Sequence, residues 1–360
     1  MKQTLVIAEA GVNHNGSLNM ALKLVDAAVK AGVDIVKFQT FKAKNLVTQS
    51  ASKAQYQIKS TGAEESQLSM LTRLELSHDE HFQLLEYCRS QNIEFLSTAF
   101  DFESLDFLVN QIRVSRLKIP SGELTNSPFV LAHARTGLNI ILSTGMATLA
   151  EVKHALAVIA FGYTESNNAA PSQEAFEKAF QSEAGQRALK DNVILLHCTT
   201  EYPAPFNEIN LNAMDTLRDQ FGLVVGYSDH SKGITIPIAA VAKRAQVIEK
   251  HFTLDCTLPG PDHPASIEPD KLSLMVSAIR EVEQALGDGI KIPTPSELNN
   301  LHVARKSLVA QTDIIKGEYF TDNNLTIKRP GNGMSPDHLW RLTSGEIASK
   351  NYLAGELIDE

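Results

Sequence analysis

Eight short runs rich in Ile, Val and Leu recur along the chain: Leu5–Ala10, Ile35–Gln39, Phe95–Ala99, Arg116–Ser121, Ile140–Thr144, Val193–Cys198, Val224–Ser228 and Val247–His251. Their apolar residues run continuously rather than alternating with polar ones. Strands buried on both faces read this way, as in a parallel sheet covered by helices. Amphipathic helical patterns lie between most of them. In the first, Ser17 is an N-cap, Leu18, Leu22, Val25 and Val29 recur at helical spacing, and Gly32 can close the helix in the left-handed conformation. Ser77 with Glu80, and Thr148 with Glu151, are capping boxes that open two more helices. Eight strand–helix units filling roughly 250–290 residues fit a closed (β/α)8, or TIM, barrel better than an open doubly wound sheet. A Gly-rich dinucleotide fingerprint is also missing.

A last barrel helix is expected around Asp270–Leu286, followed by Gly- and Pro-rich sequence that reads as a linker. The expected division is a barrel over 1–287, a linker over 288–302 and a small domain over 303–360. The small domain has short β-like runs at Ser307–Ala310 and Leu325–Lys328, with a turn-rich stretch at Arg329–Gly333. A core of that size is marginal alone, so docking onto something larger is expected. Two polar inserts interrupt the barrel. Residues 43–75 follow the second strand, which places them on the catalytic face as a lid or substrate loop. Residues 162–191 follow the fifth helix, which places them on the opposite face as decoration.

Lys plus Arg number 33 against 42 Asp plus Glu, a net charge of −9 that repels nucleic acid and anionic lipid. Neither a nucleic acid nor a membrane is expected as partner, and an anionic substrate needs a local cationic pocket. The three cysteines, Cys88, Cys198 and Cys256, lack C-x-x-C spacing, so no disulfide framework is indicated and a reducing cytoplasm is expected. An acid at Glu9 comes too early for a signal segment, and no apolar run is long enough to span a bilayer.

Each strand ends in polar residues, and barrel strand ends converge on one pocket mouth. These are Glu9, Lys37 with Gln39, Ser97 with Thr98, Lys118 with Ser121 and Glu123, Ser143 with Thr144, His197, Ser228 with Asp229 and His230, and His251. Lys37 and Lys118 lie in runs otherwise apolar enough to be strands. Each could be paired with a carboxylate as structural ballast, but two lysines among Thr98, Ser121 and Ser143 point to a site for phosphate and carboxylate. His230 and His251, on the seventh and eighth strands, can converge on one divalent cation, with Glu9, Asp229 or water completing its shell. Oxygen-rich surroundings favour Mn2+ or Mg2+. His14 is a candidate acid/base or substrate contact, or a turn residue. Pro259-Gly260-Pro261 can hold Asp262 over the mouth or form a tight, solvated turn. A Cys198–His197 nucleophile is disfavoured because neighbours on a strand point to opposite faces.

At this point the sequence resembles the sialic acid (nonulosonic acid) synthases. The matching stretches are Ile7–Gly16, Val36–Thr40, Lys118–Glu123, Leu142–Met146, His197–Pro203, Gly226–His230, Glu249–Thr253 and Lys328–Gly333, in family order. The resemblance implies a TIM barrel followed by an antifreeze-like (SAF) domain, in a domain-swapped homodimer. It implies a transferase that condenses phosphoenolpyruvate with an N-acylated mannosamine-type sugar, giving a nine-carbon 2-keto acid and phosphate. Carried over by motif, Lys37, Thr98, Lys118, Ser121, Ser143 and Ser228 hold phosphoenolpyruvate, and His230 and His251 hold the metal. Gln39, Glu123, Tyr202 and Asp262 meet the sugar, Arg329 of the partner subunit contacts its N-acyl group, and Glu9 faces the carbon that bears phosphate.

The chain departs from neuraminate-type members, with Phe38 and Phe41 where they have His, Ala99 where they have Pro, and Thr200-Glu201 where Asn-Ile is common. These departures and the 43–75 insert resemble the legionaminate branch, whose acceptor is 2,4-diacetamido-2,4,6-trideoxymannose in place of N-acetylmannosamine. Competing readings are a pseudaminate synthase, a two-histidine barrel hydrolase and a non-catalytic glycan- or ice-binding protein. The hydrolase leaves Lys37 and Lys118 without a role; the binding protein leaves Glu9 and both histidines idle.

Overall fold

A computed structural model describes residues 3–62 and 64–359 and divides the chain into two compact units, Met1–Gly287 and Asp288–Glu360. In the first, eight parallel strands close into a barrel in sequence order: β1 (Leu5–Gly11), β2 (Ile35–Thr40), β3 (Glu94–Ala99), β4 (Arg116–Ile119), β5 (Asn139–Ser143), β6 (Val193–His197), β7 (Val224–Asp229) and β8 (Val247–His251). β1 closes the barrel on β8, with Glu9 beside His251. β4 stops earlier than its apolar run predicts, because Pro120 has no N–H for the ladder and Ser121–Glu123 turns tightly away.

The first helix, Leu18–Ala31, is built as its sequence dictates. Ser17 accepts from the Met20 N–H, and Gly32 closes the helix at φ 75°. Both expected capping boxes form. No described helix is long and apolar enough to cross a membrane.

Two apolar layers share the strands. Ile7, Ile35, Leu96, Ile141, Leu196 and Val247 point inward and fill the barrel, while Val6, Ala8, Val36, Phe38, Phe95, Leu117 and Leu142 point outward under the helices. Strand side chains alternate, so the inward residues two positions later are Glu9, Lys37, Thr98, Ser143, Cys198 and Glu249. A greasy plug thus carries a polar layer at its C-terminal end.

Residues 43–75 fold into three short helices, Ala43–Leu46, Gln55–Thr61 and Gln67–Leu74. Residues 162–191 include Gln173–Gln181 and Glu183–Asn192, which bury Phe176, Ala179 and Leu189. In the second unit β9 (Ser307–Ala310) and β10 (Leu325–Lys328) pair antiparallel over a core that includes Leu308, Ile314, Phe320, Leu342 and Tyr352. The stretch read as a linker contains part of an exposed helix, Pro295–Ala304, capped by Thr294 and Glu297.

Candidate active site

A cavity of about 430 Å3 opens at the C-terminal ends of the strands, a size suited to small substrates. Of the site residues expected from sequence, its walls hold Glu9, Lys37, Gln39, Thr98, Lys118, Ser121, Glu123, Ser143, Tyr202, Ser228, His230, His251 and Asp262, while His14, Asp229, Arg329 and the strand-end residues Ser97, Thr144 and His197 are not among its lining.

At its floor lies a charge network centred on a residue that the strand-end pattern did not single out, Glu249. Its carboxylate accepts from Lys118 Nζ at 3.3 Å and Ser228 Oγ at 3.0 Å, with Lys37 Nζ at 3.6 Å. Lys37 also pairs with Glu9 at 2.5 Å and donates to Thr98 Oγ1 at 3.2 Å. All of these ionic groups are buried. Burial alone would raise the Glu249 carboxyl, but Lys118 and Lys37 outweigh it and hold it down at about 2. For Glu9 burial wins over the single lysine, and its carboxyl sits above the ordinary range. Two carboxylates in one cavity are thus pushed apart, Glu249 as fixed counter-ion and Glu9 as the readier proton acceptor.

Gln39 Nε2 donates to Glu9 Oε1 at 3.1 Å and keeps that carboxylate aimed across the cavity. A bulge after Glu9 places Gly11 at φ +52°, and a β-carbon there would sit 3.3 Å from both Glu9 Oε1 and Gln39 Nε2 and 3.7 Å from Asp262 Oδ2. Glycine leaves that junction clear. Burial, and then the charge of Glu9, push the Asp262 carboxyl up to about 7.

That shift has a stability consequence. Between the unfolded value of 3.8 and about 7 the unfolded chain is ionised at this site while the folded one keeps its proton, so stability falls as pH rises. From pH 5 to pH 8 the ligand-free protein should lose about 3 kcal/mol through this group, at 1.36 kcal/mol per pKa unit. Asp262→Asn should abolish that part of the slope in urea titrations at the two pH values; an unchanged slope would refute the assignment.

Ser121 Oγ accepts from the Gly145 N–H at 3.0 Å and lies 3.1 Å from Cys198 Sγ. Cys198 belongs to the cavity wall, while His197 points away and hydrogen-bonds the Ile209 carbonyl at 2.7 Å. No cysteine–histidine pair forms, as strand alternation requires.

His230 donates from Nδ1 to the Thr199 carbonyl at 2.6 Å, which leaves Nε2 unprotonated as an acceptor with Ser228 Oγ 3.5 Å away, and Tyr202 packs on its ring at 4.2 Å between centroids. His251 lies 5.6 Å from His230 by ring centroids, and its buried Nδ1 has no hydrogen-bond partner. Burial lowers both imidazoles and keeps them neutral, the form that ligates metal. Among the described residues no group of three or more His, Cys, Asp or Glu could enclose a cation. A cation held by this pair would have to complete its shell with water or substrate oxygens.

Asp229, expected as an additional ligand, is turned outward. It pairs with Lys250 at 2.5 Å, accepts from the Ser231 N–H at 3.0 Å and is fully buried with Lys250, so its role is to pin the turn that carries His230. The structure likewise does not bring His14 to the cavity. Its Nδ1 accepts from the Gly16 N–H at 3.0 Å, the ring packs 6.2 Å from Phe38, and burial lowers it to about 4. It closes the first strand–helix turn. Arg329 belongs to the second unit, where Nε donates to the Ala304 carbonyl at 3.0 Å. Of the departures from neuraminate-type sequence, Phe41 and Thr200 line the cavity; Phe38 is packed under the helices, and Glu201 lines a separate groove.

A family model described as "NeuB family" matches residues 24–291, and one described as "SAF domain" matches 305–360. The chain is 51% identical to the N,N'-diacetyllegionaminic acid synthase of Campylobacter jejuni over 360 residues, covering 100% of both. It is 44% identical to the protein of the same name from Legionella pneumophila, over 97% of this chain and 92% of that one. A crystal structure of N-acetylneuraminic acid (sialic acid) synthetase from Leptospira borgpetersenii in complex with citrate matches with a TM-score of 0.66 at 33% identity, over 83% of this chain and 90% of that chain. A closed eightfold barrel with a polar layer at its C-terminal end, a separate small antiparallel unit and likeness across the full length agree: the chain belongs to the NeuB family and ends in a SAF domain.

Proposed function

We propose that this chain is a transferase that condenses phosphoenolpyruvate with 2,4-diacetamido-2,4,6-trideoxymannose, yielding N,N'-diacetyllegionaminate and phosphate. The observation that carries the reading is the meeting of Lys37, Lys118 and four hydroxyls with Glu9 and the His230–His251 pair in one cavity. Full-length identity to named legionaminic acid synthases supports the choice of acceptor.

Lys37 and Lys118 with Thr98, Ser121, Ser143 and Ser228 hold the phosphate and carboxylate of phosphoenolpyruvate on the cavity floor. His230 and His251 would hold Mn2+ or Mg2+, which when bound would supply Lewis-acid polarisation of the sugar aldehyde. Gln39, Glu123 and Tyr202 orient the open-chain sugar so that its aldehyde carbon faces the methylene carbon of phosphoenolpyruvate. As the carbon–carbon bond forms, the electron pair of the enol double bond is consumed and positive charge develops at the carbon bearing phosphate. Glu9 faces that charge and takes one proton of the water that adds there, giving a tetrahedral carbon that bears hydroxyl and phosphate; the carbon–oxygen bond to phosphate then breaks and the hydroxyl proton leaves with the phosphate as the ketone forms. Asp262, which burial leaves about half protonated near pH 7, delivers a proton to the former aldehyde oxygen.

We place the enzyme in the cytoplasm, in keeping with three free cysteines. It works as a homodimer in which each SAF domain serves the partner's barrel. In that arrangement Arg329 reaches the acceptor bound in the other subunit. Arg329→Ala should therefore raise the acceptor KM at least tenfold and leave the phosphoenolpyruvate KM within about twofold, and an unchanged acceptor KM would end the domain-swap reading.

The deciding experiment measures phosphate release from phosphoenolpyruvate with Mn2+, offering the diacetamido sugar and N-acetylmannosamine in parallel, each with and without chelator. Release that needs both acceptor and metal and favours the diacetamido sugar is expected. Preference for N-acetylmannosamine would make the protein a neuraminate synthase, and acceptor-independent release would overturn the condensation.

A further inference from the structure

The cavity has two chemically opposed ends. Its floor is charged, while the 43–75 insert contributes Leu46, Val47, Met70 and Leu71 to its wall, with Gln57 and Gln67 also on it, beside Phe41 just past the end of β2. Phe41 and Met70 anchor a small apolar cluster separate from the barrel core, with Leu46 and Leu71 packed against it. These side chains do more than stabilise the insert, because they face the same space as Glu9 and His251.

We propose that this wall selects the acceptor by meeting the deoxygenated end of the sugar, the C6 methyl and the methyl of the 4-acetamido group. The inference rests on the acceptor reading above and deepens it. The aldehyde end must lie near Glu9 and His251 for bond formation, which sends the distal carbons away from the floor toward the insert. The apolar part of that wall gains by covering methyl groups, and a C6 hydroxyl seated against Leu46, Met70 and Leu71 loses its water without compensation there. One such group discriminates by about 10- to 200-fold, within the reach of an apolar pocket.

The test compares kcat/KM for three acceptors, 2,4-diacetamido-2,4,6-trideoxymannose, 6-deoxy-N-acetylmannosamine and N-acetylmannosamine, in the wild type, Leu71→Asn, Leu46→Asn and the conservative Leu71→Met. Ratios between acceptors cancel any loss of active protein. The wild type should favour the 6-deoxy sugar over its hydroxylated parent by at least tenfold. Both Asn variants should shrink that ratio about tenfold, Leu71→Met should retain it, and the phosphoenolpyruvate KM should stay put. Ratios untouched by the Asn substitutions, with the wild type still favouring the diacetamido sugar, would sink the wall and leave the acceptor reading intact. A wild type that favours N-acetylmannosamine would overturn both.

Discussion

Glu9→Gln should lower kcat by about a thousandfold, in the middle of the range that a positioned acid or base contributes, while phosphoenolpyruvate still binds. The amide keeps the shape of the carboxyl and can accept from Gln39 in its place, so the cavity stays open. It loses the negative charge facing the carbon where positive charge develops, and the capacity to accept a proton from the adding water. Lys37 is left with Glu249 as its remaining carboxylate at 3.6 Å, which holds it in place for the phosphate. Binding and chemistry therefore separate. Calorimetric titration should find phosphoenolpyruvate affinity within a fewfold of wild type, and single-turnover phosphate release should be slowed. A variant with near-normal turnover would remove Glu9 from the chemistry and reduce its contact with Lys37 to ballast.

The fold was legible because periodicity repeats. Eight buried runs, each followed by helical sequence and several by a capped helix, have few solutions, and the observed strands begin and end within about two residues of the apolar runs. The site was legible for a different reason: in a closed barrel all strand ends meet, so polar residues far apart in sequence become neighbours. What stayed hidden were side-chain directions. Only His251 stands out at the end of the eighth run, yet alternation sends Glu249 inward to the two lysines and Lys250 outward to Asp229. Counting by two from Val247 would have found Glu249, and counting by two from Tyr227 would have turned Asp229 away from the metal. His14 failed differently. It lies in the turn beyond Gly11, the last residue of β1, where no period applies and nothing in the sequence marks the Gly16 N–H as the donor to its Nδ1.

The neglected Glu249 gives the second large effect. Glu249→Ala would leave Lys37 with Glu9 alone and strip Lys118 of its only ion-pair partner among the described residues, in surroundings where both ammonium groups are 3% exposed. Removing one partner of a buried pair costs about 3–5 kcal/mol, because the remaining charge is neither solvated nor neutralised. The variant should therefore unfold at markedly lower urea concentration than the wild type. The loss should be selective in what repairs it. Phosphoenolpyruvate brings negative charge to the same two lysines, so a saturating amount should restore more stability to Glu249→Ala than it adds to the wild type. Lys118→Met combined with Glu249→Leu removes both charges together and should recover most of the lost stability without restoring turnover. If Glu249→Ala proved as stable as wild type, or gained no more from phosphoenolpyruvate, Glu249 would not be the counter-ion that holds the anion site ready.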